Sequence, residues 1–143
     1  MPQHAFSLRI MLAIKKEISM ADDKQNVVVL GASPKPNRYS NQAVRLLVQH
    51  GHHVIPVHPA VETIEGLPVS PRLTDITDNI DTLTVYVSEK VSSSLDNDIL
   101  QLNPDRVLFN PGTENESLRR KLEQHGIGTE EACTLVLLKT GQF

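Results

Sequence analysis

The stretch from Val27 to Asn41 constrains the fold more than any other part of the chain. Val27-Val28-Val29-Leu30 is an unbroken aliphatic run stopped by Gly31, and such a run reads as a strand buried on both faces. Strands of that kind belong to parallel sheets covered by helices on either side. Ala32 to Tyr39 holds two prolines and no apolar periodicity, so it reads as a loop. Ser40 is the expected N-cap of the next helix, in which Ala43, Val44, Leu47 and Val48 recur at helical spacing, and Gly51 ends it.

The alternation continues down the chain. Val54-Ile55-Pro56-Val57 reads as a second strand, with Pro56 limiting pairing to one side. Gly66 to Val69 is expected as a short edge strand, followed by a short helix through Leu73, Ile76 and Ile80. Thr82 to Val87 reads as a strand, and Ser88 is expected to cap one helix carrying Val91, Leu95, Ile99 and Leu102. Arg106 to Phe109 is a further strand. Thr113 and Glu116 read as a capping box for a helix carrying Leu118 and Leu122 and closed by Gly126. Leu135 to Leu138 fits either a last strand or one helical turn. The expected fold is α/β: a three-layer, Rossmann-like, doubly wound parallel sheet with right-handed crossovers. Residues 25–143 form one domain, and residues 1–24 read as a disordered or non-native extension with Met20 as an alternative start.

Composition narrows the function classes. With 39% apolar residues in 143, the chain supports one core, and without Trp that core must be aliphatic. A net charge of −3 argues against nucleic acid as a partner. Cys133 is the only cysteine, which rules out an internal disulfide and fits a reducing, cytoplasmic setting. No stretch approaches the roughly 20 apolar residues of a membrane span. Phe6 to Ile18 carries its charges within and after the apolar part, unlike a signal peptide.

In an open parallel sheet, ligands sit beyond the carboxyl ends of the strands where the strand order reverses. Here that crevice lies between the loop after Leu30 and the loop after Val87. Gly31 permits a tight turn, Ser33 offers a hydroxyl, and the helix opened by Ser40 and Asn41 attracts an anion through its free N–H groups and dipole. Arg38 can add a charge-assisted bond to the same anion. The loop lacks the glycines of a dinucleotide fingerprint, whose positions are held by Ser33 and Pro36. The second strand ends in His58-Pro59 rather than in the acid that binds ribose hydroxyls, so NAD is disfavoured. A Walker-type phosphate loop is also missing.

Gly31-Ala32-Ser33, the delayed Arg38-Tyr39-Ser40, and Val54-Ile55-Pro56-Val57-His58-Pro59 together resemble the small stand-alone CoA-binding protein family. That family is similar to the N-terminal domain of the succinyl-CoA synthetase α subunit. The resemblance spans residues 25–143, including Asn110-Pro111-Gly112 and Ala132-Cys133-Thr134. It implies a Rossmann-like domain that binds CoA or acyl-CoA with the diphosphate on the Gly31 to Asn41 loop. It also implies that the chain after Cys133 turns through a short helix. The candidate ligand contacts are Gly31, Ala32, Ser33, Lys35, Arg38, Tyr39, Ser40 and Asn41 of the first loop, with His58, Pro59 and Ser88. His58 departs from the Asn found in many relatives, which bears on the adenosine contacts.

No catalytic constellation accompanies this loop. Acyl-CoA synthetases phosphorylate a histidine on a second domain, for which this chain has no room. His50, His52 and His53 cluster at a helix end, where dipole and solvent account for them better than a metal does. Asp75, Asp78 and Asp81 read as solvated or capping residues. Two readings stand: a non-catalytic CoA-binding module, acting with a protein partner or as a homo-oligomer, and an enzyme or detached ligase subunit that uses a nucleotide or a CoA thioester. Neither involves a membrane.

Overall fold

The computed structural model describes residues 23–143. The expectations for residues 1–24 fall, apart from Asp23 and Lys24, outside the described residues. Five strands form one parallel sheet: β1 (Asn26–Leu30), β2 (His53–Val57), β5 (Thr82–Val85), β6 (Arg106–Phe109) and β7 (Gly128–Glu131). Their spatial order is β2-β1-β5-β6-β7. The chain leaves β1 for one edge, then crosses back to build the other side, so the order reverses between β1 and β5. That is the ligand-binding switch point of doubly wound sheets.

The aliphatic run of β1 is buried on both faces, as its composition requires. Val28 and Leu30 join Leu83, Val85, Val107 and Phe109 against Ile99, Leu118 and Leu122, from helices α3 (Asp96–Leu102) and α4 (Glu116–Gln124). Val27 and Val29 point the other way, into a second cluster with Val44 and Leu47 of α1 (Tyr39–Gln49) and Leu138 of α5 (Thr134–Lys139). Helix, sheet and helix make the three layers. α5 is the short helix that the family resemblance implied after Cys133.

Several local expectations are corrected. The helix expected from Ser88 to Leu102 is two helices, α2 (Glu89–Ser94) and α3, parted at Leu95 (φ −107°, ψ 9°). The Ser92 and Ser94 hydroxyls donate to the carbonyls of Glu89 and Val91, the competition with the backbone that weakens serine-rich helices. Ser88 does cap α2, accepting from Val91 N–H at 3.4 Å. α4 is capped by Asn115, whose side chain accepts from Leu118 N–H, while the Thr113 hydroxyl is spent on the Asn110 carbonyl. Leu67–Pro68 (β4) pairs with Thr63–Ile64 (β3) in an antiparallel hairpin rather than at the edge of the main sheet. The hairpin turns at Glu65 and Gly66 with φ of 50° and 76°. The short helix expected after it shrinks to one 3₁₀ turn, Leu73–Asp75. The strand expected to run to Val87 ends at Val85, and β7 has too few apolar residues to be read as a strand.

Both edges of the sheet are distinctive. β2 pairs only with β1 within the main sheet, and the Pro56 carbonyl on its outer side accepts from Ser70 N–H at 2.9 Å. β7 closes the other edge with Glu130 and Glu131 exposed.

Candidate functional site

At the carboxyl ends of β1 and β5 the chain encloses a cavity of about 530 Å³. Its floor begins at Gly31, with φ +85°. A Cβ there would stand 2.7 Å from Val87 Cγ1 and 3.0 Å from the Tyr86 carbonyl oxygen. Glycine is thus required both for the turn and for the close approach of the β1 loop to the chain leaving β5.

The loop then folds on itself. The Ser33 hydroxyl accepts from Lys35 N–H at 3.1 Å, and Arg38 N–H donates to the Lys35 carbonyl at 3.1 Å, closing a turn with Pro36 at its second position. This turn brings Arg38, not Ser40, to the N-cap of α1. Ser40 lies two positions inside the helix, so the capping role read from the sequence is corrected. An arginine side chain can only donate, and α1 has no side-chain cap. The N–H groups of Tyr39, Ser40 and Asn41 therefore keep no partner among the described residues.

The same cavity is lined by Gly31, Ala32, Ser33 and Lys35, by Arg38, Tyr39 and Ser40 at the helix start, and by His58 beyond β2. Pro34 and Tyr86 complete it. No carboxylate lines it, and neither Lys35 nor Arg38 enters an ion pair among the described residues. Three residues expected at the site lie off its lining. Asn41 is fully buried and braces the loop from behind, donating to the Ser33 carbonyl at 2.9 Å and accepting from Arg45 Nε at 2.9 Å. Pro59 is exposed beside His58, and Ser88 is occupied with capping α2.

The sequence pattern gives no sign of Tyr86 as a lining residue, because Thr82 to Val87 reads as a strand running through it. Tyr86 lines the cavity, and its hydroxyl is buried without a hydrogen-bond partner among the described residues. Burial pushes the phenol up to about 12, opposed in part by the Thr134 and Thr84 hydroxyls beside it. The Thr84 and Thr134 hydroxyls are bonded to each other at 2.8 Å, and Asn110 ties them down. Its amide donates to Thr84 Oγ1 and the Val85 carbonyl, and its oxygen accepts from Thr134 N–H. These bonds form a buried polar network that joins β5, the residue after β6 and the start of α5.

Among the described residues, no group of three or more His, Cys, Asp or Glu side chains is placed to hold a metal, and no helix is long and apolar enough to cross a membrane. His52 is turned instead to Gln25 N–H and sits tilted against Phe143, with 5.1 Å between ring centroids.

Comparison with known proteins agrees with this fold. A crystal structure of an uncharacterized protein is 38% identical, covers 84% of this chain and 98% of its own, and superposes with a TM-score of 0.75. Uncharacterized protein YneT of Bacillus subtilis (strain 168) is 22% identical over 102 residues, 71% of this chain and 76% of its own. The same fold forms part of a dinucleotide-forming acetyl-coenzyme A synthetase of Ca. Korarchaeum cryptofilum (TM-score 0.66, 21% identity, 76% of this chain and 25% of that one). Residues 25–139 match the CoA binding domain family, and the chain belongs to that family.

Proposed function

We propose that this protein binds CoA or an acyl-CoA in the cytoplasm without transforming it, holding the diphosphate at the start of α1. One observation carries this reading. Among the described residues the N-terminus of α1 has no side-chain cap, Lys35 and Arg38 beside it enter no ion pair, and no carboxylate lines the cavity. Free N–H groups, the helix dipole and two uncommitted cations all favour a dianionic group at that point. No carboxylate or thiol among the described residues lines the cavity to pair with Tyr86 or His58 in acid–base chemistry. Tyr86 keeps its proton to about 12, and His58 Nδ1 accepts from Ala60 N–H. A protein partner or a second copy then reads the liganded state.

The test is calorimetry with CoA and NAD, using the parent and Arg38→Ala. CoA is expected to bind more tightly than NAD. A hydrogen bond to a charged group is worth about 1.5–3 kcal/mol, so Arg38→Ala weakens CoA binding roughly ten- to a hundred-fold. Its melting temperature stays unchanged, because the side chain is exposed. Rising salt weakens binding. A folded Arg38→Ala that binds CoA like the parent at low salt removes the phosphate assignment.

The shared fold with a segment of an acetyl-coenzyme A synthetase supports a second reading, that of a detached ligase subunit. Affinity capture from cell extract separates the two. A larger ligase chain recovered in fixed stoichiometry favours the second.

A further inference from the structure

We infer that His58 recognises a ribose that carries a phosphate, and so selects CoA over its form lacking the 3′-phosphate. The inference rests on the proposed CoA site and extends it to the sugar. His58 follows β2 directly, and β2 lies next to β1. In dinucleotide-binding relatives of this architecture, an acid near that point accepts hydrogen bonds from the free ribose hydroxyls. Here the position is held by an imidazole whose proton is assigned by its surroundings.

Ala60 N–H reaches His58 Nδ1 at 3.0 Å. A backbone N–H can only donate, so Nδ1 is the acceptor and the ring proton sits on Nε2. The turn that makes this bond contains Pro59, whose ring restricts the backbone. The main chain of His58 is anchored separately, since its N–H donates to the Ser70 carbonyl at 3.2 Å. Nε2 has no protein partner among the described residues, and His58 lines the same cavity as Lys35 and Arg38. The end of β2 thus presents a hydrogen-bond donor where the dinucleotide pattern needs an acceptor.

That exchange inverts the preference. A pair of free ribose hydroxyls loses the carboxylate that would take both protons. A phosphate on the ribose, which only accepts when ionised, gains a donor and meets no carboxylate among the described residues that line the cavity. CoA carries such a phosphate on the 3′ oxygen, and dephospho-CoA differs from it by that group alone.

Calorimetric titration of CoA and dephospho-CoA into the parent, His58→Ala and His58→Asp tests the inference, with melting curves confirming that each variant is folded. The parent is expected to prefer CoA roughly ten- to a hundred-fold, the range of one charge-assisted hydrogen bond. His58→Ala should lose that preference by weakening CoA while leaving dephospho-CoA unchanged, and His58→Asp should favour dephospho-CoA. Equal binding of the two ligands by the parent, or a preference that survives in folded His58→Ala, overturns the role of His58 and leaves the CoA site standing. Binding of neither ligand by the parent overturns the site itself and this inference with it.

Discussion

Gly31→Ala isolates the joint between the β1 loop and β5. Two costs combine at this position. The φ of +85° places an L-residue in left-handed territory, at about 1–2 kcal/mol. The new methyl would also lie 2.7 Å from Val87 Cγ1 and 3.0 Å from the Tyr86 oxygen. Val87 can rotate away. The Tyr86 backbone cannot retreat easily, because its N–H is bonded to the Leu30 carbonyl at 2.9 Å in the β1–β5 ladder. Overpacking of this kind costs about 1–3 kcal/mol. The expected loss is therefore about 2–5 kcal/mol, read as a lower midpoint of urea unfolding with an unchanged slope. Gly112→Ala is the matched control. Its φ is +87°, but nothing lies within 4 Å of the added methyl, so it should show only the conformational cost. If the two variants lose the same stability, the close approach at Gly31 carries no energy and the reasoning fails.

Tyr86 supplies a pH prediction. Its phenol is raised from 10 in the unfolded chain to about 12 in the fold, so the unfolded state releases its proton first. Stability conferred by this residue is complete below pH ~10 and is lost between pH ~10 and ~12. Ultraviolet titration should show one tyrosine ionising only near the upper limit, and Tyr86→Phe should abolish that phase. Because the hydroxyl has no partner, Tyr86→Phe should leave the melting temperature unchanged or higher; a marked drop means the hydroxyl is bonded. Asn110→Ala should cost about 3–5 kcal/mol in denaturant unfolding, since it strands the buried Val85 carbonyl and Thr134 N–H. A loss below about 1 kcal/mol would show that water replaces the amide. Glu65→Asn should raise the unfolding free energy by at most about 0.5 kcal/mol, because Asn suits the positive φ of this turn while the change gives up a 3.4 Å hydrogen bond from Asn41 and a partly exposed 3.9 Å pair with Arg45. A fall would mean that Glu65 holds the hairpin against α1.

The parts of the fold legible in the sequence are those fixed by local pattern. Val27 to Leu30 announces a strand buried on both faces because the run has no polar member, and the spacing of Val44 and Leu47 announces a helix. Gly31 is legible as a turn, and the site loop follows from its position. The errors arise where two local rules compete. Ser40 has the chemistry of a cap, yet the Lys35–Arg38 turn starts the helix before the chain reaches it. Asn115 displaces Thr113 because its side chain also bonds Ser92 Oγ, a contact across helices that no local window contains. β7 exists because β6 offers it a ladder, and its own residues have little strand preference. Asn41 reads from its position as a backbone donor at the helix start, but the burial of its side chain depends on the loop folding back over it, which no local window contains.

The two borders of the sheet govern how this molecule behaves in a crowd of its own kind. An open strand edge invites a second chain to extend the sheet, and extension repeated is aggregation. On the β2 side the outward-facing nitrogen at Pro56 bears no hydrogen to offer, and Ser70 already occupies the neighbouring carbonyl. On the β7 side an incoming copy would set the exposed Glu130 and Glu131 beside their own equivalents, and Arg106, 4.0 Å from Glu130, offsets that repulsion only in part. One border is blunted by missing donors and the other by like charge, so newly made chains can crowd together without adding strands to one another.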